Sequence, residues 1–278
     1  MLIGLALLAA VGYGVSDFAG GLASRRVRPL TALLYSHPVG AVLVAALLPM
    51  FPGSFDLASV VFGALAGLAG LLGFGLMYHL MASSPLNVVS PITAVLAAAT
   101  PIACGLLSGE HPRPTAWLGI AFGLVAIAII SGSSRGGAPA RVRTKVLLQA
   151  FTSGAGFGLY FALLAHAGGS ASGIWPLMLA RLSSGLVIIA IAARPGVVAT
   201  VDSRTGALAG CAGLLDASAD VCFLLATRHG YLSLVSGVTA LYPAVTVLLA
   251  GFLLRERAGW LPSAGLALSA VSLALIAH

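Results

Sequence analysis

The sequence predicts an all-α membrane protein: ten transmembrane helices built as two inverted five-helix repeats. Three observations carry that prediction. Only 8% of the 278 residues are charged and 59% are hydrophobic, with a mean hydropathy of +1.07, whereas soluble domains run near ~25% charged. Apolar stretches of the ~20 residues needed for one crossing recur ten times. The second half of the chain echoes the first after an odd number of crossings. Fourteen basic and seven acidic residues cannot furnish the polar surface of a soluble core of this length, which excludes nucleic-acid-binding modules, disulfide scaffolds and disordered chains. The net charge of +7 sits in short loops, where lipid headgroups and topology account for it.

In order, the segments are 2–23, 30–50, 59–82, 85–107, 115–131, 146–167, 173–193, 206–227, 231–254 and 260–277. Their continuity and their richness in Ala, Leu and Gly favour helices over the short alternating strands of a barrel. Segment 1 has no basic leader and no cleavage-like boundary, so it is expected to be a retained span. Segment 3 carries Gly63, Gly67, Gly70, Gly73 and Gly75, and segment 6 carries glycines over 154–158; both permit close helix contact. Pro91, Pro101 and Pro243 are expected to interrupt segments 4 and 9. Trp117, Trp175 and Trp260 begin segments 5, 7 and 10 as interface anchors. Cys104, Cys211 and Cys222 show neither CxxC nor Cys/His spacing, and are expected to be buried small residues with no metal site.

The repeat is read at two offsets. Laying 86–130 over 232–276 gives fifteen identities in 45 positions, among them Leu86/Leu232, Ser90/Ser236, Thr93/Thr239, Gly105/Gly251, Glu110/Glu256 and Gly119/Gly265, against roughly a tenth by chance. An offset of 144 aligns Gly12-Tyr13-Gly14 with Gly156-Phe157-Gly158. The domains are then 1–131, a basic linker 132–145, and 146–278. Five helices per half invert the second half, and such halves meet at a midplane seam where transporters hold substrate. Loop charges set the orientation. Arg25, Arg26, Arg28, Arg135, Arg141, Arg143, Lys145, Arg194, Arg204, Arg255 and Arg257 share one face, against Arg113 and Arg228 on the other. The positive face is expected to be cytoplasmic, which puts both termini outside.

The segments GYGVSDFAGGLASRR (12–26), SPLNVVSPITAV (84–95), the helix-ending Gly109-Glu110 and above all YLSLVSGVTALYPAVTVLLAGFLLRERAGWLPSAGLALSAVSLALIA (231–277) resemble the EamA-type transporters of the drug/metabolite transporter superfamily. The resemblance spans essentially the whole chain in two copies. It implies a ten-helix inverted-repeat carrier in which helices 1, 3, 4, 6, 8 and 9 surround a central cavity, with members that commonly export amino acids, metabolites or toxic compounds. It also implies a Glu after helices 4 and 9, matched by Glu110 and Glu256, to which we assign a structural role: satisfying a loop or pairing with Arg113 or Arg257. Members are usually drawn with both termini in the cytoplasm; the charge count here says the reverse.

Charged groups at mid-membrane depth cost ~2.5–3.5 kcal/mol even on lenient scales, so each needs a partner, a cavity or a change of protonation. Asp17, Asp216, Asp220, Arg181, His37 and His79 fall within the spans. Counting ~1.5 Å per residue, Asp17 matches His37 in depth, and Arg181 matches Asp220 nearer the opposite face. Both pairs read as gates or coupling groups, with a structural tie between helices as the competing reading. Asp216 and Asp220 lie four apart on one helix face, so one is expected to be protonated or bonded to a neighbour. Tyr13, Tyr160 and Tyr242 sit near mid-membrane and either line a cavity or pack with their hydroxyls bonded across helices. His79 and His166 lie near helix ends, and His111, His229 and His278 in loops or at the terminus.

No GxSxG context, His/Glu zinc spacing or phosphate-binding GxxxxGK[ST] loop is present, so the chain is read as a non-enzyme without cofactor, driven by a gradient. The reading is a plasma-membrane secondary transporter exporting small organic metabolites or amino-acid-like compounds, with protons as coupling ion. Its partners are the solute and membrane lipid, not nucleic acid. An uptake carrier of the same fold and a non-transporting membrane scaffold are the alternatives.

Overall fold

In hydrocarbon every backbone N–H and C=O must be bonded within its own segment, so apolar stretches of this length fold as helices. The computed structural model describes residues 2–83, 86–132, 144–167, 172–194, 200–253 and 260–277. Among these there is no strand. The helices are α1 (Leu2–Ser24), α2 (Pro29–Leu47), α3 (Leu57–Ser83), α4 (Leu86–Leu107), α5 (Pro114–Gly132), α6 (Thr144–His166), α7 (Trp175–Ala192), α8 (Ser203–Thr227), α9 (Leu232–Thr239), α10 (Tyr242–Leu253) and α11 (Trp260–Ala277). Nine described stretches are long and apolar enough to cross a membrane, with α9 and α10 counted as one; α4 adds the shorter apolar stretch Ile92–Leu107. The protein is a multi-pass membrane protein.

Two starts are fixed by aspartates in matching positions. The Ser59 N–H donates to Asp56 Oδ1 at 2.7 Å ahead of α3, and the Thr205 N–H donates to Asp202 Oδ2 at 3.4 Å ahead of α8. Each carboxylate accepts from an otherwise orphaned first-turn donor. Hydrogen bonding from Ser59 and from Thr205 holds both carboxyls below the usual aspartate range.

Pro243 does interrupt its helix. With no N–H to offer Thr239, the chain tightens, Leu241 N–H bonding the Val238 carbonyl at 3.2 Å, and α10 restarts at Tyr242. Pro91 and Pro101 differ from expectation, for α4 runs unbroken through both. Gly158 of α6 leaves room for the Pro101 ring, for a Cβ there would stand 3.0 Å from it. The cysteines also depart from expectation. Cys211 is exposed and Cys104 and Cys222 are half-buried, because Cys211 shares an outward helix face with exposed Leu214 and lipid, unlike water, does not penalise a thiol there.

The outer surface is apolar, with Val42, Leu186, Leu248 and Phe252 all exposed, while Ala, Gly and Ser fill the interior. Helices that cannot gain by hiding apolar groups from lipid associate through such small residues. α1 packs on α8 and on α10, and α6 on α3 and on α4. α2 lies against α8 and α7 against α3, while α2 meets α7, α4 meets α9 and α5 meets α11. Glycines set the closest approaches. A Cβ on Gly12 would lie 2.9 Å from the Ala219 Cβ of α8, and one on Gly156 2.9 Å from the Ala69 carbonyl of α3. The helices alternate in direction, so one end of the bundle gathers the starts of α1, α3, α5, α7 and α9. The other carries Arg25, Arg26, Arg28, Arg194 and Arg204 and is called the basic end below.

Candidate functional site

Tyr13, between Gly12 and Gly14, is carried to the middle of the bundle because those glycines let α1 sink between α8 and α10. Its hydroxyl donates to Asp220 Oδ1 at 2.5 Å. Its ring meets Phe161 and Tyr242 edge-on, at 5.7 and 6.3 Å between centroids. Asp220 is 2% exposed and would be an intolerable lone charge at that depth. Arg181 of α7 resolves this, since its Nη2 donates to Asp220 Oδ2 and also to Asp216 Oδ2 at 2.6 Å. The neighbour that lets two carboxylates share one face of α8 is therefore a guanidinium. The Tyr160 hydroxyl of α6 faces the same Asp220 carboxylate. Arg181 keeps its Nε–H buried without a protein partner.

Expectation and structure part at His37. It matches Asp17 in depth, yet its Nε2 donates to the Arg181 carbonyl at 2.9 Å and lies 3.1 Å from Ser184 Oγ. Depth fixes one coordinate only. α1 packs against α8 and α10, whereas α2 packs against α8 and α7, so the two side chains meet different neighbours. His37 and Ser184 thus brace the turn of α7 that presents Arg181. Ser184 and Gly40 drew no attention in the sequence, though a signal existed: His37 and Arg181 stand 144 positions apart, and so do Gly40 and Ser184. A Cβ on Gly40 would lie 3.3 Å from Arg181 Nη1, so this glycine makes room for the guanidinium.

Asp17 follows Tyr13 by four residues and so points the same way, into the cleft between α8 and α10 and one turn nearer the basic end. There it is exposed. The next position on that face, Gly21, has nothing within 4 Å of where a side chain would begin. Asp17 and Gly21 thus mark an exposed stretch of α1 running inward from the basic end, which we read as a vestibule. Asp216, whose side chain is 35% exposed, and Tyr242 lie within electrostatic reach of Asp17. The Tyr13–Asp220–Arg181 lattice forms the floor.

The opposite end is shut by polar ties. Glu110, past the end of α4, accepts from the first turn of α9: Leu232 N–H at 2.6 Å and Ser233 N–H at 2.8 Å. It does so as an anion at a helix N-terminus, where charge and orphaned donors both favour it; the expected partner was a loop or an arginine. Gly105 makes this reach possible, since a Cβ there would stand 2.8 Å from the Glu110 carboxyl carbon. Gly109 turns the chain at φ +88°. Ser108 Oγ lies 3.0 Å from His166 Nε2, and Arg228 Nη2 donates to the Gly173 carbonyl. Trp175 begins α7 and stacks edge-on with Phe55 at 5.2 Å. Glu256, His278 and residues 133–143 lie outside the described residues.

A recess of about 220 Å³ between α1, α10 and α11 is lined by Leu7, Val11, Val245, Leu248 and Leu273. It is apolar apart from Ser269, suits lipid chains, and offers no group to recognise a polar solute.

Among curated proteins, none matches the chain. A solved crystal structure of a protein superposes over 97% of this chain and 98% of its own, with a TM-score of 0.68 at 18% identity; this likeness shows a shared fold alone. Residues 1–132, a little under half of the chain, match the EamA-like transporter family, which is part of the drug/metabolite transporter superfamily.

Proposed function

We propose that this membrane transporter is a secondary, proton-coupled exporter of small organic metabolites or amino-acid-like compounds in the plasma membrane, built from two inverted repeats (1–131 and 146–278) joined by the basic linker 132–145. The observation that carries the reading is an accessible carboxylate, Asp17, standing over a buried Asp216–Arg181–Asp220 network. A carboxylate in a low-dielectric vestibule can hold a proton in one conformation and release it in another. The helix pairings support the repeat. Exchanging each helix of one half for its counterpart turns the α1–α8 contact into α6–α3, α2–α8 into α7–α3, and the α1 contact with the ninth crossing into α6–α4. Asp56 and Asp202, 146 apart, cap counterpart helices.

Direction follows from orientation. If the arginine-rich loops stay in the cytoplasm, the vestibule loads from inside and the Glu110 end seals the outside, which supports export and non-cytoplasmic termini. Counterflow of a metabolite panel in proteoliposomes tests the carrier reading, and a reporter fused after His278 tests the orientation. Exchange of no solute by protein shown to be folded would overturn the first. A reporter active only in the cytoplasm would reverse the second and turn the loading arm of the cycle into uptake.

A further inference from the structure

Resting on the carrier reading, we propose that segments 51–53 and 172–174, one from each half, form a latch at the shut end, that Arg228 fastens it, and that it must part for solute to cross. The fold brings the two segments together. α7 packs against both α2 and α3, so the loop joining α2 to α3 runs over the start of α7, where residues 172–174 lead in. There the two backbones touch with no side chain between them. A Cβ on Gly53 would stand 2.6 Å from the Gly173 Cα, and one on Gly173 would collide with the Phe51 carbonyl and lie 3.1 Å from the Gly53 nitrogen. Gly173 also sits at φ +53°, in the left-handed region that glycine enters without steric cost.

Arg228 fastens this contact from a third element. It follows α8, which packs on α1 and α2, yet its Nη2 reaches across to donate to the Gly173 carbonyl that precedes α7. Among the described residues no carboxylate pairs with Arg228, so that carbonyl is what holds the half-buried guanidinium. A bond from a charged donor is stronger than a neutral one. Beside it stands an opposing group: Ser172 Oγ is fully buried and has no hydrogen-bond partner. A hydroxyl in that state has lost water and gained nothing in return, so parting of the segments would hydrate it. Closure is thus favoured by the glycine contact and Arg228 and opposed by Ser172, the balance that a segment with two positions requires. The latch lies where α2, α7 and α8 come together, while the Glu110 tie joins the end of α4 to α9. The shut end is therefore fastened at two separate places.

Two measurements on purified full-length protein, with Cys104, Cys211 and Cys222 replaced by Ala, test this. The first reads the latch alone. Ser172→Cys, buried while the latch is closed, should react with an impermeant maleimide roughly tenfold faster when Arg228→Gln is added, the factor expected for loss of one charge-assisted hydrogen bond. Arg228→Lys keeps a charged donor and should retain most of the protection, which excludes a general loosening of the fold. The second reads the cycle. Phe55 and Trp175 each lie two residues beyond a latch glycine, and their rings meet edge-on at 5.2 Å. In the Phe55→Cys, Trp175→Cys pair a short bis-methanethiosulfonate linker should stop counterflow, and reductant should restore it. Equal labelling of Ser172→Cys in folded Arg228→Gln protein, or undiminished counterflow after complete cross-linking, would overturn the proposal. The carrier reading fails separately. If protein without linker exchanges no solute while Arg228→Gln exposes Ser172→Cys as described, the latch stands and the carrier falls; if solute exchanges whether or not the linker is in place, the carrier stands and the latch falls.

Discussion

The two ends of this bundle are built from the same alanine-, leucine- and glycine-rich helices, yet one is tied shut and the other is open. At the shut end, groups on loops and helix termini cross between elements: Glu110 to α9, Ser108 to His166 and Arg228 to Gly173. At the basic end Gly21 of α1 has nothing within 4 Å of where a side chain would begin, and Asp17, one turn deeper, is exposed. Apolar packing is interchangeable in lipid, so it cannot say which end closes. That choice falls to a few polar contacts worth about 1–2 kcal/mol each, a scale on which a transporter can alternate.

The comparison can be broken at its floor. Arg181→Met removes the cation shared by Asp216 and Asp220 and leaves a buried carboxylate behind Tyr13. We expect a loss of about 3–5 kcal/mol, read as a collapse of folded yield and thermal stability in detergent, with partial recovery in the Arg181→Met, Asp220→Asn double variant.

A smaller effect is expected at the shut end. Glu110→Ala strands two first-turn donors of α9, and Gly105→Ala pushes the carboxylate out of reach. Each should cost about 1–3 kcal/mol, and the pair should cost far less than the sum because both remove the same contact. An impermeant maleimide applied to a Ser233→Cys reporter, buried in the parent protein, should label faster in either variant. Unchanged labelling would show that Glu110 caps α9 without closing anything.

At the open end, Gly21→Cys should react readily from the side of the arginine-rich loops and should move stability by no more than about 0.5 kcal/mol. Protection of that thiol would mean the vestibule is closed in the membrane.

The smallest effect concerns a cap. Asp202 has its carboxyl lowered on folding by hydrogen bonding to Thr205, so its stabilisation is present above the ordinary aspartate range and is lost as the pH falls through the lowered folded-state value. Asp202→Ala should depress Tm slightly at neutral pH. The gap from the parent should close on acidification, which a melting series between pH 7 and pH 3 would follow.

The crossings were legible because hydropathy integrates over a whole segment. The Arg181–Asp220 contact was legible because cost at depth demands a partner and few candidates existed. The pairing of Asp17 with His37 failed because sequence counting gives height along the membrane normal but not the direction a helix face points. Tyr13 as the donor to Asp220 was hidden for the same reason, since it spans 207 residues of chain. Proline was read too simply. Pro243 breaks its helix where Pro101 does not. Cys211 was misjudged by carrying over the rule of a water-facing surface to a lipid-facing one.

The Glu110 cap also constrains how the chain is made. Its acceptor and first donor are 122 residues apart, so at about 5–20 residues per second Glu110 waits roughly 6–24 s for α9 to emerge. A position just past a helix end lets it wait in water at no cost. Arg181 and Asp220, only 39 residues apart, are unpaired for about 2–8 s by the same rate. Between these two charged contacts, the one that waits longer is kept at the membrane boundary, and the one that must enter hydrocarbon is spaced to meet quickly.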